Sequence, residues 1–360
     1  MIGARLKLAR TAAGLSLRAL AALLDGRVSA QAIGKYERDE MMPTSPVLLA
    51  LSKALNIAPD YLLSNRDLGL HGIEFRKGSG AGLREEKTVQ ARVIEKLERY
   101  LAVEEALGLQ SAHWHAPLPE LEPVRDSDAA EAAANELRRS WRLGIDPIGS
   151  MTETLEEHGV KVIALDLPPE VSGSKALARA SDNNPVAAVV INQNHKGERQ
   201  RSTLAHELAH LVLRHDVSMK RVDVERAMDR FGGSFLVHKD ELCRLAGSHR
   251  QDVSLGELVE LKQHFKVSLQ CLVVRLKQAL ILSESGAREL WASLKALGFF
   301  SDPWPEPGPI PSEKSHRMHR LALRAVSEGA LSESRAAELL GISARQLNRW
   351  LAEGKHTVTA

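Results

Sequence analysis

Cysteine is nearly absent from this 360-residue chain, which holds only Cys243 and Cys271. Two thiols cannot build a disulfide framework or a four-cysteine zinc site, and a reducing, cytoplasmic setting is expected. Aromatic residues are scarce as well, at 4%. Any core must therefore be made of leucine, alanine, valine and isoleucine, mostly on helices. No segment approaches the ~18 apolar residues of a bilayer-spanning helix, so no membrane association is expected. The start of the chain, Met1-Ile2-Gly3-Ala4-Arg5, lacks the apolar run and small-residue cleavage site of a secretory signal. Neither sign of charge dominates, with 48 Lys and Arg against 46 Asp and Glu.

That balance is uneven along the chain. Residues 1–66 hold 9 basic against 5 acidic side chains, residues 311–360 hold 8 against 5, and the middle holds 31 against 36. Basic ends around an acidic centre point to nucleic-acid contact at one end or both. What is present is the composition of a folded protein, 44% hydrophobic and 26% charged, at a length suited to two or three domains.

Apolar spacing predicts helices at 5–13, 17–24, 30–36, 47–55, 83–107, 127–143, 199–214, 222–237, 253–281 and 316–326, and two more within 332–350 that start at Ser332 and Ser343. Strands are predicted at 160–165 and, with a stronger β-branched run, at 186–192. The fold class is therefore mainly α with a small β-sheet (α+β). Three glycines at 75–82 read as a linker, and Pro117, Pro119 and Pro123 mark a second break. Five prolines between Ser301 and Pro311 form a linker or rigid strap.

In the first 66 residues two short helices flank a turn at Asp25-Gly26-Arg27, the arrangement of a helix-turn-helix that reads double-stranded DNA. The early residues of the later helix would face base edges: Ala30, Gln31 and, one turn on, Lys35. Gln31 can pair bidentately with adenine, and Lys35 can donate to guanine or phosphate. Arg10, Arg18 and Arg38 stand where phosphate contacts are expected. The stretches Leu15-Ser16-Leu17-Arg18-Ala19-Leu20-Ala21 and Val28-Ser29-Ala30-Gln31-Ala32-Ile33-Gly34-Lys35-Tyr36-Glu37-Arg38 resemble the Cro/cI-type (XRE) family of DNA-binding regulators. The resemblance covers about 60 residues. It implies operator binding, for which a homodimer on a two-fold site is the expected form.

The strongest chemical signal is Thr203-Leu204-Ala205-His206-Glu207-Leu208-Ala209-His210. Histidines four apart on a helix project from one face and can share a Zn²⁺ ion. Glu207 between them falls beside the metal, where it can deprotonate a water. Two histidines need a third protein ligand. The helix at 222–237 offers Asp223, Glu225 and Asp229, of which Glu225 has the best spacing for a returning helix. His195, His215 and His238 are rivals. Asp229, one turn beyond Glu225, could hydrogen-bond a ligating histidine.

Together with Glu198-Arg199-Gln200-Arg201 and Glu225-Arg226-Ala227-Met228-Asp229-Arg230-Phe231, this segment resembles the ImmA/IrrE family of metallopeptidases over roughly residues 130–300. The resemblance implies a zincin-like domain in which Glu225 completes the zinc site. It also implies a narrow substrate range, the cleaved partner being a repressor or antitoxin in a stress response. Ser202 stands where the family often has Phe, and Val237-His238 where it often has Met-Pro. Neither touches a ligand, so both departures bear on packing or substrate fit.

The expected organisation is a DNA-binding helix-turn-helix domain at 1–66, a helical linker region at 67–126, a metallopeptidase-like domain at 127–300, and the proline strap with a small helical domain at 301–360. In that last domain Leu339-Leu340-Gly341-Ile342 resembles a second helix-turn-helix turn, with Arg345, Gln346 and Arg349 on its exposed face; a small helical cap is the simpler alternative. Cys243 could reach the metal as an inhibitory thiolate, or pack as a small hydrophobe. Two other readings stay open for the whole chain. One is a transcription factor that cleaves nothing, its zincin-like domain sensing a ligand or mediating dimerisation. The other is an antitoxin-like binding protein.

Overall fold

The computed structural model describes residues 2–57, 59–63, 69–71, 83–109, 114–169, 171–179, 185–299 and 306–356. The linker expected at 75–82, and Pro303 and Pro305 of the strap, lie outside these residues. In chain order the elements are α1 (Ile2–Ala12), α2 (Leu17–Leu23), α3 (Ala30–Glu37), α4 (Ser45–Leu55), α5 (Pro59–Leu63), β1 (Gly69–His71), α6 (Leu83–Ala106), α7 (Ser127–Ser140), α8 (Met151–Glu157), β2 (Val160–Leu165), β3 (Gly173–Arg179), β4 (Pro185–Asn192), α9 (Gly197–Val212), α10 (Arg221–Leu236), α11 (Lys239–Ala246), α12 (Leu255–Phe265), α13 (Leu269–Gln278), α14 (Glu284–Ala296), α15 (Arg317–Ser327), α16 (Glu333–Leu340) and α17 (Ala344–His356). The fold is α+β and mainly helical. None of the described helices is long and apolar enough to cross a membrane. The chain divides into two compact units, one of Met1–Trp114, Ala176–Val186 and His316–Ala360, the other of His115–Lys175 and Ala187–Ser315.

In the first unit, α1 to α5 close around Leu6, Leu20, Ile33, Leu51 and Leu62, each fully buried. Ser16 starts α2 by accepting from the Ala19 amide, and Ser29 starts α3 by accepting from the Ala32 amide, both at 3.1 Å. These bonds satisfy helix donors that the chain would otherwise leave open. The N-terminus of α1 lies against the end of α3: a Cβ on Gly3 would sit 2.6 Å from the Glu37 carbonyl oxygen, so only glycine fits there. Arg10 clamps the same two helices. Its guanidinium donates to both Glu37 oxygens, at 2.5 and 2.9 Å, and to the Leu15 carbonyl at 2.7 Å. The phosphate contact expected of Arg10 is thereby corrected: this half-buried cation is a strut inside the bundle.

The long helix α6 serves the bundle and the C-terminal helices alike. Glu98 pairs with buried Arg5, and Arg92 donates to the Ala12 carbonyl at 2.9 Å. Further along, Glu104 accepts from Arg317 of α15 at 2.5 Å, while Val103 packs with Ala322 and Leu339. A pairing of β1 with β3, antiparallel through Leu177, Ala178 and Arg179, also belongs to this unit.

In the second unit β2 and β4 run parallel, in register from Val160 opposite Ala187 to Leu165 opposite Asn192. Both are buried almost throughout, as a parallel pair covered on both faces should be. The helix expected at 253–281 is two. Lys266 turns left-handed at φ 55° and ends α12, and the Ser268 hydroxyl accepts from the Cys271 amide at 3.1 Å to start α13. The short helices α8, α11 and α14 and the strand β3 are additions to the predicted set.

Buried charges tie distant segments of this unit together. Arg201 of α9 and Glu313, 1% and 4% exposed, pair at 2.5 Å. Glu313 also accepts from the Met151 and Thr152 amides at 3.0 and 2.9 Å, so it caps α8. Lys262, fully buried, donates to Glu198 at 2.6 Å and Glu306 at 2.8 Å. Burial alone would push the Glu313 carboxyl up, but the Arg201 charge and the two amides outweigh it and hold the group below the ordinary carboxylate range.

A depressed carboxyl binds its proton more weakly in the folded chain than in the unfolded one. Its stabilisation is complete above the unfolded value of ~4.3 and is lost as pH falls through the lower folded value. Glu313→Gln leaves Arg201 buried without its counter-charge, and about 3 kcal/mol of stability should go at neutral pH. Urea melts of the two proteins, compared at pH 7 and pH 4, should show that gap narrowing toward acid.

Candidate metal centre

The centre is built on α9. The described part of the proline segment lies over the first turn of this helix, where a Cβ on Gly197 would collide with the Ile310 and Pro311 carbonyls. Glu198 of the same turn accepts from the Ile310 amide at 3.2 Å and from Lys262. Leu204, Ala205, Leu208 and Ala209 are fully buried and leave one helix face to carry the chemistry. On that face His206 and His210 stand one turn apart, their Nε2 atoms separated by 3.1 Å.

The third donor comes from α10. Gly232 makes this possible, because a Cβ there would lie 3.3 Å from the backbone of Ala205 and His206. The two helices can therefore approach to near backbone contact. Glu225 oxygens then lie 3.5 Å from His206 Nε2 and 3.9 Å from His210 Nε2. One atom from each of the three side chains falls within a 4.8 Å cluster. Tetrahedral zinc with bonds of ~2.0–2.1 Å needs donors about 3.3 Å apart, and this set matches. Asp229 Oδ1 is 2.6 Å from His206 Nδ1. That bond puts the proton on Nδ1, so the Nε2 lone pair faces the shared point. Glu207 follows His206 directly and is 4% exposed.

The rival ligands are engaged elsewhere. His195 Nε2 lies 2.9 Å from the Pro169 carbonyl. His215 lies beside the Asp216 carbonyl, and His238 accepts from the Asp240 amide at 3.2 Å as the cap of α11. Cys243, half-buried on α11, is likewise outside the cluster. What sequence reasoning missed is the framework: Gly232, Glu313 and the strand β3. A Cβ on Gly173 of β3 would lie 2.5 Å from the Val190 carbonyl and from the Thr203 methyl group of α9. A glycine in a helix interior is the one signal that pointed at Gly232.

In the first unit, Gln31 and Lys35 lie on the exposed face of α3, Ala30 is half-buried, and Arg18 of α2 is exposed. Arg38 is exposed but already bidentate with Glu40, at 2.6 and 2.9 Å. A phosphate at Arg38 would compete with that carboxylate.

Fold and site together define a helix-turn-helix domain followed by a domain whose His-Glu-x-x-His helix brings together the donors of a candidate metal centre. Residues 6–62 match the helix-turn-helix family model, and residues 155–277 match the model of a peptidase family described as an IrrE N-terminal-like domain. The chain thus carries a Cro/cI-type helix-turn-helix domain and an IrrE-like domain, in that order. No curated protein matches the chain.

Gly232→Val should force α10 away from α9. Overpacking of this kind costs about 1–3 kcal/mol, and it moves Glu225 away from both histidines. Zinc affinity, measured by competition with a chromogenic chelator, should fall at least about tenfold. The thermal midpoint should drop with it.

Proposed function

We propose that the chain is a transcriptional regulator that binds operator DNA through α3 and carries a zinc-dependent endopeptidase acting on one protein partner, a repressor or antitoxin, in a stress response. The observation that carries this reading is the convergence of His206, His210 and Glu225 on one point beside buried Glu207. Two imidazoles and a carboxylate are the donor set of a catalytic zinc site, which keeps a fourth position open. A structural site would be closed by four protein ligands.

When bound, zinc supplies a water of lowered pKa and polarises the scissile carbonyl. The chain's own residues do the rest. Glu207 takes the proton from the attacking water and delivers it to the leaving amine. Asp229 acts through His206, fixing its tautomer and orientation. The dry wall of leucine and alanine on α9 strengthens the electrostatics at these groups. Glu207 has no task in a purely structural site, and this favours catalysis over a ligand-sensing domain.

For the other half of the reading, Gln31 and Lys35 offer a base-reading pair on the exposed face of α3, with Ala30 small enough to admit close approach. Arg18, and Arg38 if it exchanges Glu40 for a phosphate, would fix the register on the backbone. A homodimer on a two-fold operator is the form expected of such a domain.

Metal content tests the centre directly. Mass spectrometry on the full chain should find about one zinc per wild-type and per Glu207→Gln molecule, and loss of zinc in His206→Ala. New N-termini in a cell extract should appear with wild type and disappear with Glu207→Gln or a chelator. Zinc-free wild-type protein, purified without chelators, would sink the peptidase mechanism. A zinc-loaded wild type that matches Glu207→Gln on every extract protein would favour the sensor.

A further inference from the structure

Two helices of the first unit begin in the same way. The Ser29 hydroxyl accepts from the Ala32 amide at 3.1 Å, and the Ser343 hydroxyl accepts from the Gln346 amide at 3.2 Å. Aligned on those serines, Ser29-Ala30-Gln31-Ala32-Ile33-Gly34-Lys35-Tyr36 pairs with Ser343-Ala344-Arg345-Gln346-Leu347-Asn348-Arg349-Trp350. Serine and alanine repeat, an aliphatic residue stands fourth after the cap in both, a cation sixth and an aromatic seventh. Burial agrees at the aliphatic position and at the two polar positions flanking it, while buried Gly34 matches exposed Asn348. Ile33 and Leu347 are both fully buried, while Gln31 and Lys35, like Arg345 and Arg349, are exposed. Each serine is preceded by an aliphatic residue, Val28 or Ile342, that packs into its own cluster.

The surrounding architecture agrees. α16 joins α17 through Gly341-Ile342-Ser343, and Gly341 is left-handed at φ 68°. That conformation suits glycine and makes a sharp three-residue turn. Ala336, Ala337 and Leu347 form the buried seam of the two helices, with Leu323 and Val326 of α15 packed against it. Two helices across a short glycine turn on a third supporting helix is the helix-turn-helix arrangement. On α17, positions 344–352 hold two arginines and no carboxylate. Neither arginine makes an ion pair among the described residues.

We propose that α16 and α17 form a second DNA-reading helix-turn-helix, with α17 in the major groove of double-stranded DNA. Arg345 takes a base edge from the position that Gln31 holds on α3, exposed Gln346 beside it adds a second donor and acceptor, and Arg349, which matches Lys35, takes a phosphate. A protein partner would ask for an apolar or aromatic centre. The exposed face here is Arg345, Gln346, Asn348 and Arg349, which suits a polyanion with hydrogen-bonding edges.

The test is fluorescence anisotropy of the full chain on a mixed-sequence 40-base-pair duplex across a potassium chloride series. Arg345→Ala with Arg349→Ala should lower the slope of log affinity against log salt by about one, the phosphate share of Arg349, and weaken binding about tenfold. Replacing both arginines by lysine should keep the slope. Both positions are exposed, so thermal melting should not change. An alanine pair that binds with wild-type slope and affinity overturns the proposal, and protein partners then become the reading of this face. Lys35→Ala, run alongside, separates the two helices. If it weakens binding and the alanine pair does not, only α3 reads DNA. If the alanine pair weakens binding and Lys35→Ala does not, the second helix stands and the assignment of α3 fails.

Discussion

A single helix can present two imidazoles to one metal ion, but it cannot complete the tetrahedron. That constraint governs the second unit. The third donor has to come from another helix, and its carboxylate must arrive within about 3.3 Å of both nitrogens. Side chains of ordinary size between α9 and α10 would hold the helices ~8–10 Å apart. Gly232 opposite Ala205 removes that spacer. Glu225 and Asp229, one turn apart on α10, then meet the histidine pair, Glu225 beside the Nε2 atoms and Asp229 bonded to His206 Nδ1.

The close approach has to be held against the tendency of charged groups to draw water in. Buried ion pairs do this work at the far end of α9, where Arg201 and Lys262 reach carboxylates more than forty residues away in sequence. Such pairs add little net stability compared with apolar packing, because desolvating them costs about as much as their attraction returns. Their value is geometric. A guanidinium held by Glu313 and the Ile148 carbonyl tolerates one arrangement of α9, α8 and the proline segment.

The strongly periodic parts of the fold were legible in the sequence, because there local and tertiary preferences agree. The β-branched run at 186–192 became β4, and the two serine-capped helices of the DNA-reading bundle fell where their caps predict. The pairing of His206 with His210 on one helix face was legible for the same reason, since their spacing is itself helical geometry. What stayed hidden depends on partners far along the chain. Gly-Ser-Lys-Ala-Leu-Ala-Arg has little strand propensity of its own, and β3 exists because neighbouring strands accept it. Arg10 could not be told from a phosphate ligand until Glu37 was seen beside it. The split of 253–281 turns on Lys266, a lysine in a left-handed conformation that sequence seldom announces. Glu313 carried no local signal at all.

The charge asymmetry acquires a physical meaning from the two matching helices. A chain of net charge +2 has no general attraction for DNA, so whatever binding it has must come from local surfaces. Basic excess is confined to the two segments that carry the serine-capped helices, while the intervening segment is acidic. Arg10 and Arg317 are spent on internal carboxylates, while Gln31, Lys35, Arg345 and Arg349 are among the donors that face outward. One such helix makes few phosphate contacts and so binds weakly on its own. Two on one chain convert the second contact into an intramolecular event, raising avidity ~10²–10⁴-fold when both can engage. The acidic excess between them works in the opposite sense, disfavouring contact of the IrrE-like domain with the polyanion.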